Sequence, residues 1–136
     1  MCPGGILRYG GRWVGRPLHI LIVDDEPAQA EALAELLGDD SNATTTVVTS
    51  GRGALAVVES VAYDAVLIDL GMPEMDGLGL LRELRTRRPT LPAILITGWP
   101  KADTRIAQFL ALEHTGYVPK PIVLDRLVSL IARLTS

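Results

Sequence analysis

Three runs of four consecutive aliphatic residues, Ile20–Val23, Ala65–Ile68 and Ala93–Ile96, constrain this chain more than any other feature. A strand exposed on one face alternates apolar and polar residues. A strand with no polar position has both faces covered, as in parallel sheets carrying helices above and below. Each run also ends on a side chain able to do chemistry: Asp24, Asp69 and Thr97. Two further segments complete the strand set, predicted at His19–Val23, Thr45–Thr49, Ala65–Ile68, Ala93–Ile96 and Gly116–Val118. The second, Thr45-Thr-Val-Val-Thr49, is polar and β-branched and reads as an edge strand.

Helical patterns fill the intervals. Pro27 stands at a helix start, where its missing N–H costs nothing. Ala30, Leu33 and Leu37 follow at helical spacing, and Gly38 is expected to end the element. Leu55 and Val58 mark a second helix. Leu81 and Leu84 mark a third, capped by Asp76. Ala102, Ile106, Phe109 and Leu110 mark a fourth, and Leu124, Leu127, Val128, Ile131 and Leu134 form the apolar stripe of a fifth. Five β-α units joined by right-handed crossovers give an α/β fold, a doubly wound five-stranded parallel sheet of flavodoxin-like order 2-1-3-4-5. The 136 residues suit one domain, expected at 18–136, behind a Gly-rich flexible arm or linker at 1–17. A polar loop is expected at Gly38–Thr44.

Composition excludes several classes of function. The single cysteine, Cys2, rules out disulfides and cysteine-rich metal sites and makes a reducing, cytoplasmic setting the expectation. No apolar run reaches the roughly 18 residues of a membrane span, so no membrane insertion is expected. Net charge is −3, which gives no electrostatic footprint for direct nucleic-acid binding. The cluster Arg82, Arg85, Arg87 and Arg88 reads as a solvated helix face.

In open parallel sheets the working groups lie beyond the carboxyl ends of the strands. The first strand runs into Asp24-Asp25-Glu26, the third into Asp69, the fourth into Thr97 and the fifth into Lys120. Crowded carboxylates repel one another, and a hard divalent cation with oxygen ligands relieves this; Mg²⁺ suits the set better than zinc. A carboxylate beside Mg²⁺ and a lysine is prepared for phosphoryl transfer, in which positioning and charge neutralisation supply most of the catalysis. The Thr97 hydroxyl and the Lys120 ammonium are suited to phosphate oxygens.

The strings Ile22-Val-Asp-Asp-Glu-Pro27, Leu67-Ile-Asp-Leu-Gly-Met-Pro-Glu-Met-Asp-Gly77, Leu95-Ile-Thr-Gly98 and Tyr117-Val-Pro-Lys-Pro121 resemble the four signatures of response-regulator receiver domains. They occur in the family's order and spacing, within Leu18 to about Leu134. The resemblance implies that Asp69 accepts a phosphoryl group from the phosphohistidine of a histidine kinase or histidine phosphotransfer protein. It implies Mg²⁺ as cofactor, with Asp25 and Asp69 as ligands, Asp24 acting mainly through water, and the backbone carbonyl of Gly71 as a further ligand. Thr97 and Tyr117 would be the switch pair, Lys120 the phosphate-sensing lysine, and Lys120–Pro121 a cis bond. A downstream protein would read the surface of the fourth helix, fifth strand and fifth helix, and the fourth and fifth helices offer a surface for a possible homodimer. Such a protein assists its own phosphorylation and is not a turnover enzyme. The Leu-Gly-Met-Pro and Thr-Gly-Trp strings resemble terminal receivers of hybrid kinases, a stand-alone receiver being the other expectation.

Two readings compete. A phosphate-independent interaction module requires a broken acidic site, and this one reads as intact. An aspartyl-phosphate hydrolase requires a second acid or base two residues after its nucleophile, where Gly71 follows Asp69. Many receivers carry a polar side chain at that position. Its replacement by Gly71, together with bulky Trp99 two residues after Thr97, predicts slow loss of the phosphoryl group.

Overall fold

The computed structural model describes residues 7–9, 12–14, 17–41, 43–69 and 76–135. A five-stranded parallel sheet carries the chain, its strands being β3 (Leu18–Val23), β4 (Ala43–Val48), β5 (Ala65–Asp69), β6 (Ala93–Thr97) and β7 (Thr115–Pro119). They lie in the order β4-β3-β5-β6-β7, which is the expected 2-1-3-4-5 arrangement with the Thr-rich strand at one edge. Five helices connect and follow them: α1 (Pro27–Ser41), α2 (Gly51–Ser60), α3 (Gly77–Arg87), α4 (Thr104–Leu110) and α5 (Leu124–Thr135).

The aliphatic runs build two cores, one on each face of the sheet. Alternate residues Leu21, Val23, Val66, Ile68, Ala93 and Leu95 pack with α2, α3 and α4. The intervening Leu18, Ile20, Ile22, Leu67, Ile94 and Ile96 pack with α1 and α5. Covering both faces removes any need for a polar position along β3, β5 or β6, the physical origin of the uninterrupted runs. Among the described residues, Phe109 of α4 is the bulkiest fully buried side chain. Aliphatic side chains supply most of the rest, in keeping with the 4% aromatic content.

Two expectations are corrected. The polar loop at Gly38–Thr44 is largely absorbed: α1 continues through Gly38 to Ser41, and β4 opens at Ala43 rather than Thr45. A Cβ built on Gly38 would meet nothing closer than 3.6 Å, so the helix has no steric reason to stop there. The expected arm at 1–17 is described at residues 7–9, 12–14 and 17. Its described residues form an antiparallel pair, β1 (Leu7–Tyr9) with β2 (Arg12–Val14), in which Leu7 faces Val14. The fourth helix begins at Thr104 rather than Ala102, because Asp103 caps it.

The Arg-rich end of α3 also differs from a freely solvated face. Arg85 is half-buried and donates from Nε and Nη2 to the Leu91 carbonyl, and from Nη2 to that of His114. Arg88 donates to the Val58 carbonyl, and Arg87 pairs with Glu59 at 2.9 Å. These forks join α3 to α2 and to the turns that precede β6 and β7, satisfying carbonyls that helix and sheet leave open.

Candidate functional site

Parallel strands in register deliver their last residues to one edge, and the expected side chains meet there. Val23 pairs with Ile68, so Asp24 and Asp69 emerge side by side; Asp69 itself pairs with Ile96, one residue before Thr97. Carboxylate oxygens of Asp24, Asp25 and Asp69 all lie within 4.8 Å of one another. Lys120, one residue past β7, reaches across with its Nζ 3.0 Å from Oδ2 of Asp69. The Lys120–Pro121 bond is cis, as expected.

The turn after β3 holds Asp24 in place. Its Oδ1 accepts the Glu26 backbone N–H at 2.9 Å, while Pro27 opens α1. Burial is the main cause that pushes the Asp24 carboxyl above the ordinary carboxylate range. The Glu26 N–H pulls it back, the neighbouring Asp69 carboxylate raises it again, and Lys120 lowers it. Asp25 is the exposed member of the cluster.

A cleft of about 40 Å³ beside these groups is lined by Asp24, Asp69, Lys120, Gln29 and Ile122 among others, with room for a water-sized group. The donor set consists of oxygens only, and the clustered carboxylates have one ammonium beside them among the described residues. A hard divalent cation fits that chemistry, because it would offset the like charge that raises Asp24. Gly71, whose carbonyl was expected as a further ligand, lies outside the described residues, as do Met72 and Pro73. Asp76 caps α3 as expected, its Oδ1 accepting the Gly79 N–H at 2.6 Å.

Thr97 closes β6 and is buried, and its Oγ1 accepts the Trp99 backbone N–H at 3.0 Å. That bond leaves the hydroxyl proton free for another acceptor. Tyr117 pairs with Leu95 on β7, is half-buried and packs against the core on the α4 side. By strand alternation Thr97 and Tyr117 share one sheet face and stand on a cross-strand diagonal, the spacing at which an aromatic ring reaches its neighbour.

The residues around Trp99 carry a contact that sequence reading missed. The ring is half-buried against the core that contains Ile106 and Phe109, and the Arg105 guanidinium lies over it. Arg105 also pairs with Asp103 at 3.0 Å through Nε and 2.8 Å through Nη2. Asp103 in turn accepts the Arg105 backbone N–H as the cap of α4, and these bonds hold its carboxyl below the usual range. An Asp ahead of a helix is a cap signal that could have found Asp103, but nothing in the sequence announces the stack, since Trp99 and Arg105 are separated by a loop of no fixed periodicity.

Known proteins share this fold. A family model for the response regulator receiver domain matches residues 20–132. The probable transcriptional regulatory protein TcrX of Mycobacterium tuberculosis is 35% identical over 114 residues, covering 84% of this chain and 48% of that protein. TcrA, a transcriptional regulatory protein of the same organism, is 35% identical over 130 residues, covering 94% of this chain and 51% of its own. The chain thus spans about half the length of these relatives. Among solved structures, the receiver domain of a histidine kinase from Syntrophus aciditrophicus superposes with a TM-score of 0.75 at 32% identity, covering 87% of this chain and 89% of that one. The receiver domain of a Pseudomonas aeruginosa sensor histidine kinase, with a magnesium ion coordinated in its active-site cleft, gives 0.75 at 26% identity, covering 88% and 98%. No described helix is long and apolar enough to cross a membrane. With its acidic edge, sheet order and family match in agreement, the chain belongs to the response regulator receiver domains.

Proposed function

We propose that this chain is the phosphoacceptor of a two-component or phosphorelay system, with Asp69 as the residue modified. The observation that carries this is the meeting of Asp69 with Lys120 at 3.0 Å and with the carboxylates of Asp24 and Asp25. An oxygen of Asp69 attacks the phosphorus of a phosphohistidine on a histidine kinase or histidine phosphotransfer protein. The P–N bond breaks, and the departing imidazole takes its proton from solvent. Lys120 neutralises charge on the phosphoryl oxygens, and the Thr97 hydroxyl donates its proton to one of them. Asp25 and Asp69, with Asp24 acting mainly through water and the Gly71 carbonyl expected as a further ligand, would hold Mg²⁺, whose charge would supply the remaining neutralisation that phosphoryl transfer needs.

The acyl phosphate adds charge and strong acceptor oxygens where a single carboxylate stood. Thr97 is drawn toward it, Tyr117 turns into the space released, and the surface of α4, β7 and α5 changes for a downstream protein or a second copy of the chain. The net charge of −3 supports a protein, rather than nucleic acid, as the immediate partner. A kinase phosphodonor and the lone Cys2 favour a cytoplasmic setting.

Intact-mass measurement after incubation with acetyl phosphate and Mg²⁺ tests the reading. One phosphoryl adduct is expected in the wild type, none in Asp69→Ala and none with excess chelator; an adduct of normal yield in Asp69→Ala would sink the assignment. Decay of the adduct is expected to be slow and to quicken in Trp99→Ala, whereas unchanged decay would count against shielding by the ring.

A further inference from the structure

We infer that Asp103, Arg105 and Trp99 form a latch that holds the Thr97 hydroxyl in position and carries its movement to the start of α4. The inference rests on the phosphoacceptor reading of Asp69 and adds a route of regulation to it. Its first link is the Trp99 N–H donated to Thr97 Oγ1 at 3.0 Å. One lone pair of the hydroxyl is thereby engaged, its rotation is restricted, and its proton is left for a phosphoryl oxygen on Asp69.

The second link is mechanical. Thr97 cannot approach Asp69 without stretching or re-aiming that hydrogen bond, so residue 99 must follow or let go. The Trp99 ring is clasped on two sides, by Arg105 and by the core that contains Ile106 and Phe109. Arg105 is itself fixed by its fork to Asp103, and Asp103 caps α4. A shift of the ring therefore reaches the cap and the buried face of the same helix together. This route involves no movement of Tyr117, which sits on β7. It also fits the short length of α4, whose seven residues leave the cap holding a large share of the helix.

Fluorescence provides the test, because the sequence has only two tryptophans, Trp13 and Trp99. In a Trp13→Phe background Trp99 is the sole reporter. The protein is treated with acetyl phosphate and Mg²⁺, and adduct mass, Trp99 emission and hydrogen exchange of residues 104–110 are followed in parallel. We expect emission and α4 exchange to change with the same time course as the adduct. In Arg105→Ala and in Asp103→Asn the adduct should still form, while the linked changes in emission and exchange are largely lost. Asp103→Asn keeps a capping oxygen, so it separates loss of the fork from loss of the cap.

A mere structural staple would lower the thermal stability of Arg105→Ala and leave the phosphorylation-linked changes intact, and that result would overturn the latch. An adduct that forms in the background protein without moving Trp99 emission would overturn it too, with the phosphoacceptor reading untouched. Absence of an adduct from acetyl phosphate, together with absence of Mg²⁺-dependent beryllium fluoride binding, would instead remove the phosphoacceptor reading and the latch along with it.

Discussion

Replacing Asp24 by Asn should stabilise the metal-free protein. Asp24 is 8% exposed and has the Asp69 and Asp25 carboxylates within 4.8 Å. At that distance two like charges repel by about 1 kcal/mol in a water-like medium and by about 3.5 kcal/mol at an effective dielectric near 20. Lys120, held against Asp69, offsets part of this. Asn removes the charge while its Oδ1 still accepts the Glu26 N–H, so the turn after β3 is kept. We therefore expect a gain of about 1–2 kcal/mol at pH 7.5 in chelator, a rise in Tm of roughly 3–8 °C for a domain of this size.

The dependence on pH follows from the raised Asp24 pKa. A carboxyl whose folded pKa lies above its unfolded value binds its proton more tightly when folded. The resulting stabilisation is complete below the unfolded value of about 3.9 and is lost as pH climbs through the raised folded value. The advantage of Asp24→Asn should therefore be small in acid, grow through the upper carboxylate range and level off near neutrality. Mg²⁺ narrows the difference: at ten times its dissociation constant it should stabilise the wild type by about 1.4 kcal/mol and the variant by less. Thermal melts over pH, with chelator and with Mg²⁺, provide the assay. Destabilisation by Asp24→Asn at pH 7.5 in chelator would refute the electrostatic reasoning, as would a difference that ignores pH.

Two further substitutions test the packing that supports the site. A Cβ on Gly116 of β7 would come within 2.6 Å of Leu130 Cδ2 and 2.9 Å of its Cγ, so Gly116→Ala should cost about 1–3 kcal/mol in denaturant melts; in a Leu130→Ala background that penalty should largely vanish, and its persistence would show that α5 does not press on β7. Arg85→Met keeps the apolar stem but removes the donors to Leu91 and His114, and should cost about 1–3 kcal/mol. Arg85→Lys should restore only part of that loss, because a lysine lacks the planar fork; full rescue would mean that charge alone matters.

The sequence by itself determined the fold class and the members of the acidic edge. Ile20–Val23, Ala65–Ile68 and Ala93–Ile96 can be strands only if both faces are covered, and in a parallel sheet this forces the residues after them to one edge. Asp24, Asp25, Asp69, Thr97 and Lys120 were legible for that reason: strand ends are set by local pattern, and register does the rest. Elements whose limits depend on distant partners were not. Gly38 signals a helix end, yet α1 runs through it because nothing beside it excludes the helix and β4 starts immediately beyond. The pairing of Leu7–Tyr9 with Arg12–Val14 carries too few residues to announce itself in sequence.

Tertiary structure alone decided the uses of the long polar side chains. Arg85 and Arg88 read as solvated charge until the turns beside them present open carbonyls. Arg105 and Trp99 meet only because Asp103 starts α4 where it does and the core fixes the ring. A guanidinium reaches several ångströms from its own Cα, so its partner is chosen by the fold around it rather than by its neighbours in the chain.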